Sequence, residues 1–168
     1  MPATVTLNEH NTSTPGTRTD KTSGVVRCKT ADSSSVDSNN PISKPSTGYN
    51  RSYEKWLRLR IGATGPGGQI TNLQFYTSGS PGSGIAVYAR TSNPSSYSTP
   101  ATPSDDTAGA DATTFTTGAR KSMGAGPYST TNTDIGDFCV LWMTVDSTVS
   151  VPQSPTPDLT LFFSYDEY

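Results

Sequence analysis

From Tyr53 to Ile61 the chain alternates with a period of two: Leu57, Leu59 and Ile61 point one way, and Trp56, Arg58 and Arg60 the other. That period belongs to a strand with one buried face. It recurs along the chain. Gln69–Tyr76 carries Ile70 and then, after an expected bulge, Leu73 and Phe75. Gly84–Thr91 sets Ile85 and Val87 against Ala86, Tyr88 and Arg90. Asp137–Val149 is apolar on both faces, with Phe138, Val140 and Trp142 against Cys139, Leu141 and Met143, which marks a central strand. Leu159–Tyr165 places Leu161 and Phe163 on one face and Phe162 on the other. Weaker signals lie at residues 4–8, 23–30 and 113–117. No stretch holds a helical apolar period over three turns.

Composition points the same way. Ser and Thr supply roughly 30% of the chain, far above ordinary usage, and there are 15 Gly and 13 Pro. All four are weak helix formers. The runs Gly62–Gly68 and Ser78–Gly84 are turns rich in Gly. About eight strands joined by such turns predict an all-β chain: an antiparallel β-sandwich, jelly-roll-like, with an extended polar N-terminal arm. The expected core contains Leu57, Leu59, Ile61, Val87, Val140, Trp142, Leu161 and Phe163.

Two regions stand outside that pattern. Residues 1–52 form the polar arm, with one or two strands. Residues 53–168 form the sandwich, carrying a long loop insertion at 92–134. The arm has too few apolar groups to fold alone, and ordering its backbone costs about 1–2 kcal/mol per residue. A partner or a symmetry mate is therefore expected to hold it, by strand pairing through Thr4–Asn8.

Of 168 residues, 12 are Lys or Arg and 14 Asp or Glu, for a net charge of −2. There is no basic stripe of the kind nucleic acid requires. No apolar run is long enough for a membrane span. The start, Met1–Thr6, lacks a cationic and apolar leader, so folding in a cytoplasm is expected. Cys28 and Cys139 lie in strand-like runs and read as buried thiols, with a disulfide as the alternative.

Catalytic signatures are sparse. His10, the single histidine, sits in the polar arm beside Glu9 and reads as a solvated loop residue. Asp105, Asp106 and Asp111, with Asp134 and Asp137, read as turn formers, with calcium as the alternative. No catalytic residue, cofactor or metal is expected. Tyr49, Tyr53, Tyr88, Tyr97 and Tyr128 are placed in loops or on outward faces, as edge cover, interface anchors or a sugar platform. The sequons at Asn11 and Asn50 read as accidental in a chain without a leader.

The block Tyr53–Ile61 with its Gly-rich turn, Gly84–Arg90 and the apolar final strands cover about half the chain. In this style of sequence the chain resembles small virion proteins of tailed phages. The resemblance implies a non-enzymatic protein that decorates or cements a capsid, or else a neck, collar or tail part, located in the virion. It implies jelly-roll or sandwich folds, other virion proteins as partners, and a homo-oligomer, with a trimer favoured. Neither nucleic acid nor membrane is an expected partner. A carbohydrate- or receptor-binding module is the competing class. The expected protein-interface residues are Thr4, Val5, Thr6 and Leu7 of the arm, with Trp56, Arg58, Arg60 and Tyr88 of the sandwich.

Overall fold

The computed structural model describes residues 1–150 and 159–168. Ten strands form: β1 Thr4–Asn11, β2 Thr17–Asp20, β3 Tyr49–Arg51, β4 Lys55–Ala63, β5 Ile70–Gly79, β6 Ile85–Arg90, β7 Gly109–Asp111, β8 Lys121–Gly124, β9 Thr133–Asp146 and β10 Leu159–Glu167. A 3-10 turn at Ala112–Thr114 is the one helical element among the described residues. All strand pairs are antiparallel. The fold is the all-β antiparallel sandwich expected, with ten strands in place of about eight.

The two sheets are unequal. The larger runs β2-β1-β4-β9-β6-β7, with β3 beside β9 beyond the end of β4; the smaller is β10-β5-β8. Between them Leu57, Leu59, Ile61, Val87, Ala89, Ile135, Cys139 and Leu141 pack against Ile70, Leu73, Phe75 and Met123. The alternation read in β4, β5 and β6 is kept. The bulge expected in β5 is present: Asn72 takes a left-handed φ of 54°, and the strand resumes its phase at Leu73.

In β9 the faces are the reverse of the expectation. Cys139 and Leu141 point into the sandwich, while Val140 and Trp142 are buried on the opposite face, Val140 beside Trp56 and Phe138. Alternation cannot choose between two apolar faces, and here loop residues cover the outer one. Opposite Arg58 alone, β9 carries Gly136, Asp137 and Phe138. Gly136 has φ 67°, and a Cβ there would come within 2.5 Å of Leu73 Cδ1 and of the Met123 carbonyl oxygen. This bulge lets β9 pass close to the smaller sheet.

The arm is corrected too. β1 is an interior strand, paired with β4 along its length and with β2 from Asn8 to Asn11. Beyond Leu7 and Leu57 the inner face turns ionic. Lys55 Nζ lies 2.9 Å from Glu9 Oε1, and Lys21 Nζ lies 3.7 Å from Glu9 Oε2. The ammonium groups also donate to main-chain carbonyls, Lys55 to Ser33 at 2.6 Å and Lys21 to Ser34 at 2.6 Å. Buried lysines thus hold the polar segment after β2 over the part of the larger sheet that the smaller one leaves bare.

Residues 23–30 are loop, and 113–117 hold the 3-10 turn and loop rather than strands. The 92–134 region supplies β7 to one sheet and β8 to the other, so it is part of the sandwich rather than an insertion hung on it.

Candidate functional site

The expected interface residues do not form one exposed patch. Thr4–Leu7 pair with β4 inside the chain, and Val5 and Leu7 pack against the core. Trp56 is 2% exposed. It donates from Nε1 to Glu54 Oε2 at 3.0 Å and meets the rings of Tyr97 and Phe138 edge-on. Arg58 lies over Phe138, 4.8 Å from its centroid, and Arg60 pairs with Asp134 at 3.3 Å. Tyr88 stacks on Trp142, whose Nε1 donates to Asp106.

Trp56, Phe138, Tyr88 and Trp142 belong to the outer layer of the larger sheet, covered by the chain between β6 and β7. Arg51 clamps that covering loop, donating from Nε and Nη2 to the two carboxylate oxygens of Asp106 at 2.9 and 2.8 Å. That hydrogen bond holds the Asp106 carboxyl below the ordinary carboxylate range. Tyr97 OH donates to the Thr12 carbonyl at 2.7 Å, and burial lifts its phenol to about 12.

His10 belongs to this layer and is not solvated. It is 3% exposed, edge-on to Phe138 at 5.0 Å and 5.7 Å from Tyr97. Both ring nitrogens are buried, and among the described residues neither has a hydrogen-bond partner. Desolvation lowers its pKa; Asp134 opposes the shift, and Arg18 and Arg58 add to it. His10 packs as a buried ring against Phe138 and Tyr97.

Of the aspartates read as turn formers, Asp105 and Asp111 make turn contacts, whereas Asp134 and Asp137 lie in β9 and Asp134 pairs with Arg18 and Arg60. Asp105 accepts from the Thr107 amide and hydroxyl, and Asp111 from those of Thr113. Among the described residues no group of three or more His, Cys, Asp or Glu is gathered as a metal would need. Both cysteines are free. Burial raises both thiols, Cys139 to about 12.

Tyr88, Tyr97 and Tyr128 lie in three places: on Trp142, on Trp56, and against Ile70 in the core. A single sugar platform from those three is not formed.

The surface left open is on the smaller sheet. Along β10 one side pairs with β5, from Leu159 opposite Gly79 to Glu167 opposite Ile70. Among the described residues no strand pairs with the other side. Inward from that edge runs a groove of about 620 Å³, lined on one wall by Leu159, Leu161, Phe163 and Tyr165 of β10. Val5 and Leu7 of β1, with Val25 and Val26, make much of the other wall. On the outer face Phe162 stacks on Tyr76 at 4.8 Å and 6°, and the Arg120 guanidinium sits 4.8 Å over Tyr76. The final strand was legible in the sequence; its place at the edge was not, because strand order is a property of the whole fold.

No family model matches this chain, and neither a curated protein nor a solved structure was found to match it.

Proposed function

We propose that this chain is a non-enzymatic structural protein of a virus particle, working as a subunit of a larger assembly, with decoration or cementing of a phage capsid as its role. The observation that carries the assembly part is β10, nine residues long, unpaired on one side among the described residues and bordered by an apolar groove. An edge of that length normally carries Lys, Pro or a bulge to keep other chains away. The β10 stretch Leu159–Tyr165 has no charge and no Pro, and the charges Asp166 and Glu167 stand only at its end, so that stretch of the edge reads as one made to be covered. The placement in a virion rests on the sequence character of the strand blocks and Ser/Thr-rich loops. A capsid presents many equal sites, so a modest affinity suffices to load it. A neck, collar or tail position would use the same edge.

The outer layer of the larger sheet disfavours a sugar-binding role for its aromatics, since Trp56 and Trp142 are spent on loop cover. Quantitative mass spectrometry of gradient-purified particles from the phage encoding this chain tests the proposal. It is expected at a fixed, symmetric copy number per particle. Its absence from particles, with abundance in the lysate, would overturn the virion role.

A further inference from the structure

β10 leaves three features unfinished on the same side. The first is its main chain, whose strand pairing goes to β5 alone among the described residues. The second is the ring stack. Arg120, Tyr76 and Phe162 follow one another toward β10, and the stack stops at Phe162, which is 36% exposed. The third is the groove, whose apolar wall of Leu159, Leu161, Phe163 and Tyr165 is only partly buried.

The occupant must supply a strand whose inward side chains are apolar and whose outward side chain can close an aromatic stack. The sequence of β10 itself meets both conditions. Residues directly opposite in an antiparallel pair lie on the same face. If Phe162 faces Phe162 of a second copy, then Leu161 faces Phe163 and Leu159 faces Tyr165 on the inner side. Thr160 faces Ser164 on the outer side. Every inward pair is then apolar. Asp166 and Glu167 lie past Leu159 of the other copy, where Asp158 also stands in the sequence, so the acidic residues fall at the ends of the pairing and outside the stretch Leu159–Tyr165. An in-register parallel pairing would set Asp166 and Glu167 each against its own counterpart. Sliding one copy to centre the pair on Phe163 would set Glu167 against Leu159.

We propose that the partner of this edge is a second copy of the same chain, docked antiparallel through β10 about a two-fold axis at Phe162. This rests on the reading of β10 as an assembly edge. The two smaller sheets join into one six-stranded sheet in the order β8-β5-β10-β10-β5-β8. The stack becomes continuous from Arg120 of one copy to Arg120 of the other, and the inward side chains of each β10 reach toward the groove of its neighbour. The contact is isologous and closes as a dimer, not the trimer that the phage resemblance implies.

Sedimentation equilibrium of the full chain over a range of concentrations tests this. The wild type is expected as a monomer–dimer mixture shifting to dimer on concentration. Phe162→Lys places like charges opposite each other and is expected to weaken the dimer about tenfold or more, as is Phe162→Glu. Mixing the two variants is expected to restore dimer as a heterodimer, which also shows that each is folded. Under oxidation Phe162→Cys is expected to give a disulfide-linked dimer, and Thr160→Cys is not. A wild type that stays monomeric, or Phe162→Lys and Phe162→Glu each as dimeric as wild type, would overturn the proposal. If the wild type is monomeric yet Phe162→Lys is lost from particles, a different chain covers the edge and the assembly reading stands. If the dimer forms and the chain is missing from particles, the dimer stands and the virion role falls.

Discussion

Lys55 Nζ lies 2.9 Å from Glu9 Oε1, and both side chains are fully buried. The pair joins β1 to β4 from within and makes the N-terminal segment part of the sandwich. Removing one partner of a buried ion pair leaves the other charge uncompensated, at about 3–5 kcal/mol. Lys55→Ala should therefore lower the unfolding free energy by about that much, read by urea denaturation. Lys55→Met combined with Glu9→Leu should cost much less than the sum of the single changes. Additive losses would show that the two groups do not depend on each other.

Removing residues 1–11 deletes an interior strand, uncovering the edge of β4 along with the Leu7 and His10 contacts. The truncated chain should lose its cooperative thermal transition, followed by circular dichroism. A folded truncation would return the segment to the status of a detachable arm.

Burial lowers the His10 pKa below 6.5. The unfolded chain then binds a proton that the folded chain refuses, so stability is full above pH 6.5 and falls as pH drops below it, until the folded ring also titrates. The slope from this one group is at most about 1.4 kcal/mol per pH unit. His10→Leu should flatten the stability profile between pH 7 and 5. An unchanged profile would show that the ring is protonated equally in both states. The lowered Asp106 carboxyl acts in the same direction but at more acid pH, around and below its ordinary value of 3.8.

Cys139 sits in the core with its thiol raised to about 12. It should resist alkylation at neutral pH in the folded protein and react on unfolding, since only the thiolate attacks. Rapid native labelling at Cys139, located by peptide mapping, would contradict the packing of β9.

The strands legible in the sequence were those with one apolar face, as in β4, β5, β6 and β10. Short strands such as β2, β3, β7 and β8 carry too few residues to show a period, and they form because a long neighbour offers them a ladder. The face of β9 was ambiguous because Trp142 and Cys139 are both buried, one under loop and one in the core. The polar stretch after β2 looked unable to fold because hydropathy does not register a lysine whose ammonium is satisfied by carbonyls. The edge position of β10 depends on strand order, which local pattern does not carry.

Backbone hydrogen exchange over Leu159–Glu167, followed in dilute and in concentrated solution, tests most directly whether this edge is an assembly surface. Amides bonded to β5 should be protected at both concentrations. The amides on the open side of β10 should exchange freely when dilute and become protected on concentration, while β4 and β9 stay unchanged. Open-side amides that exchange at the same fast rate at every concentration, and in the assembled particle as well, would contradict the account.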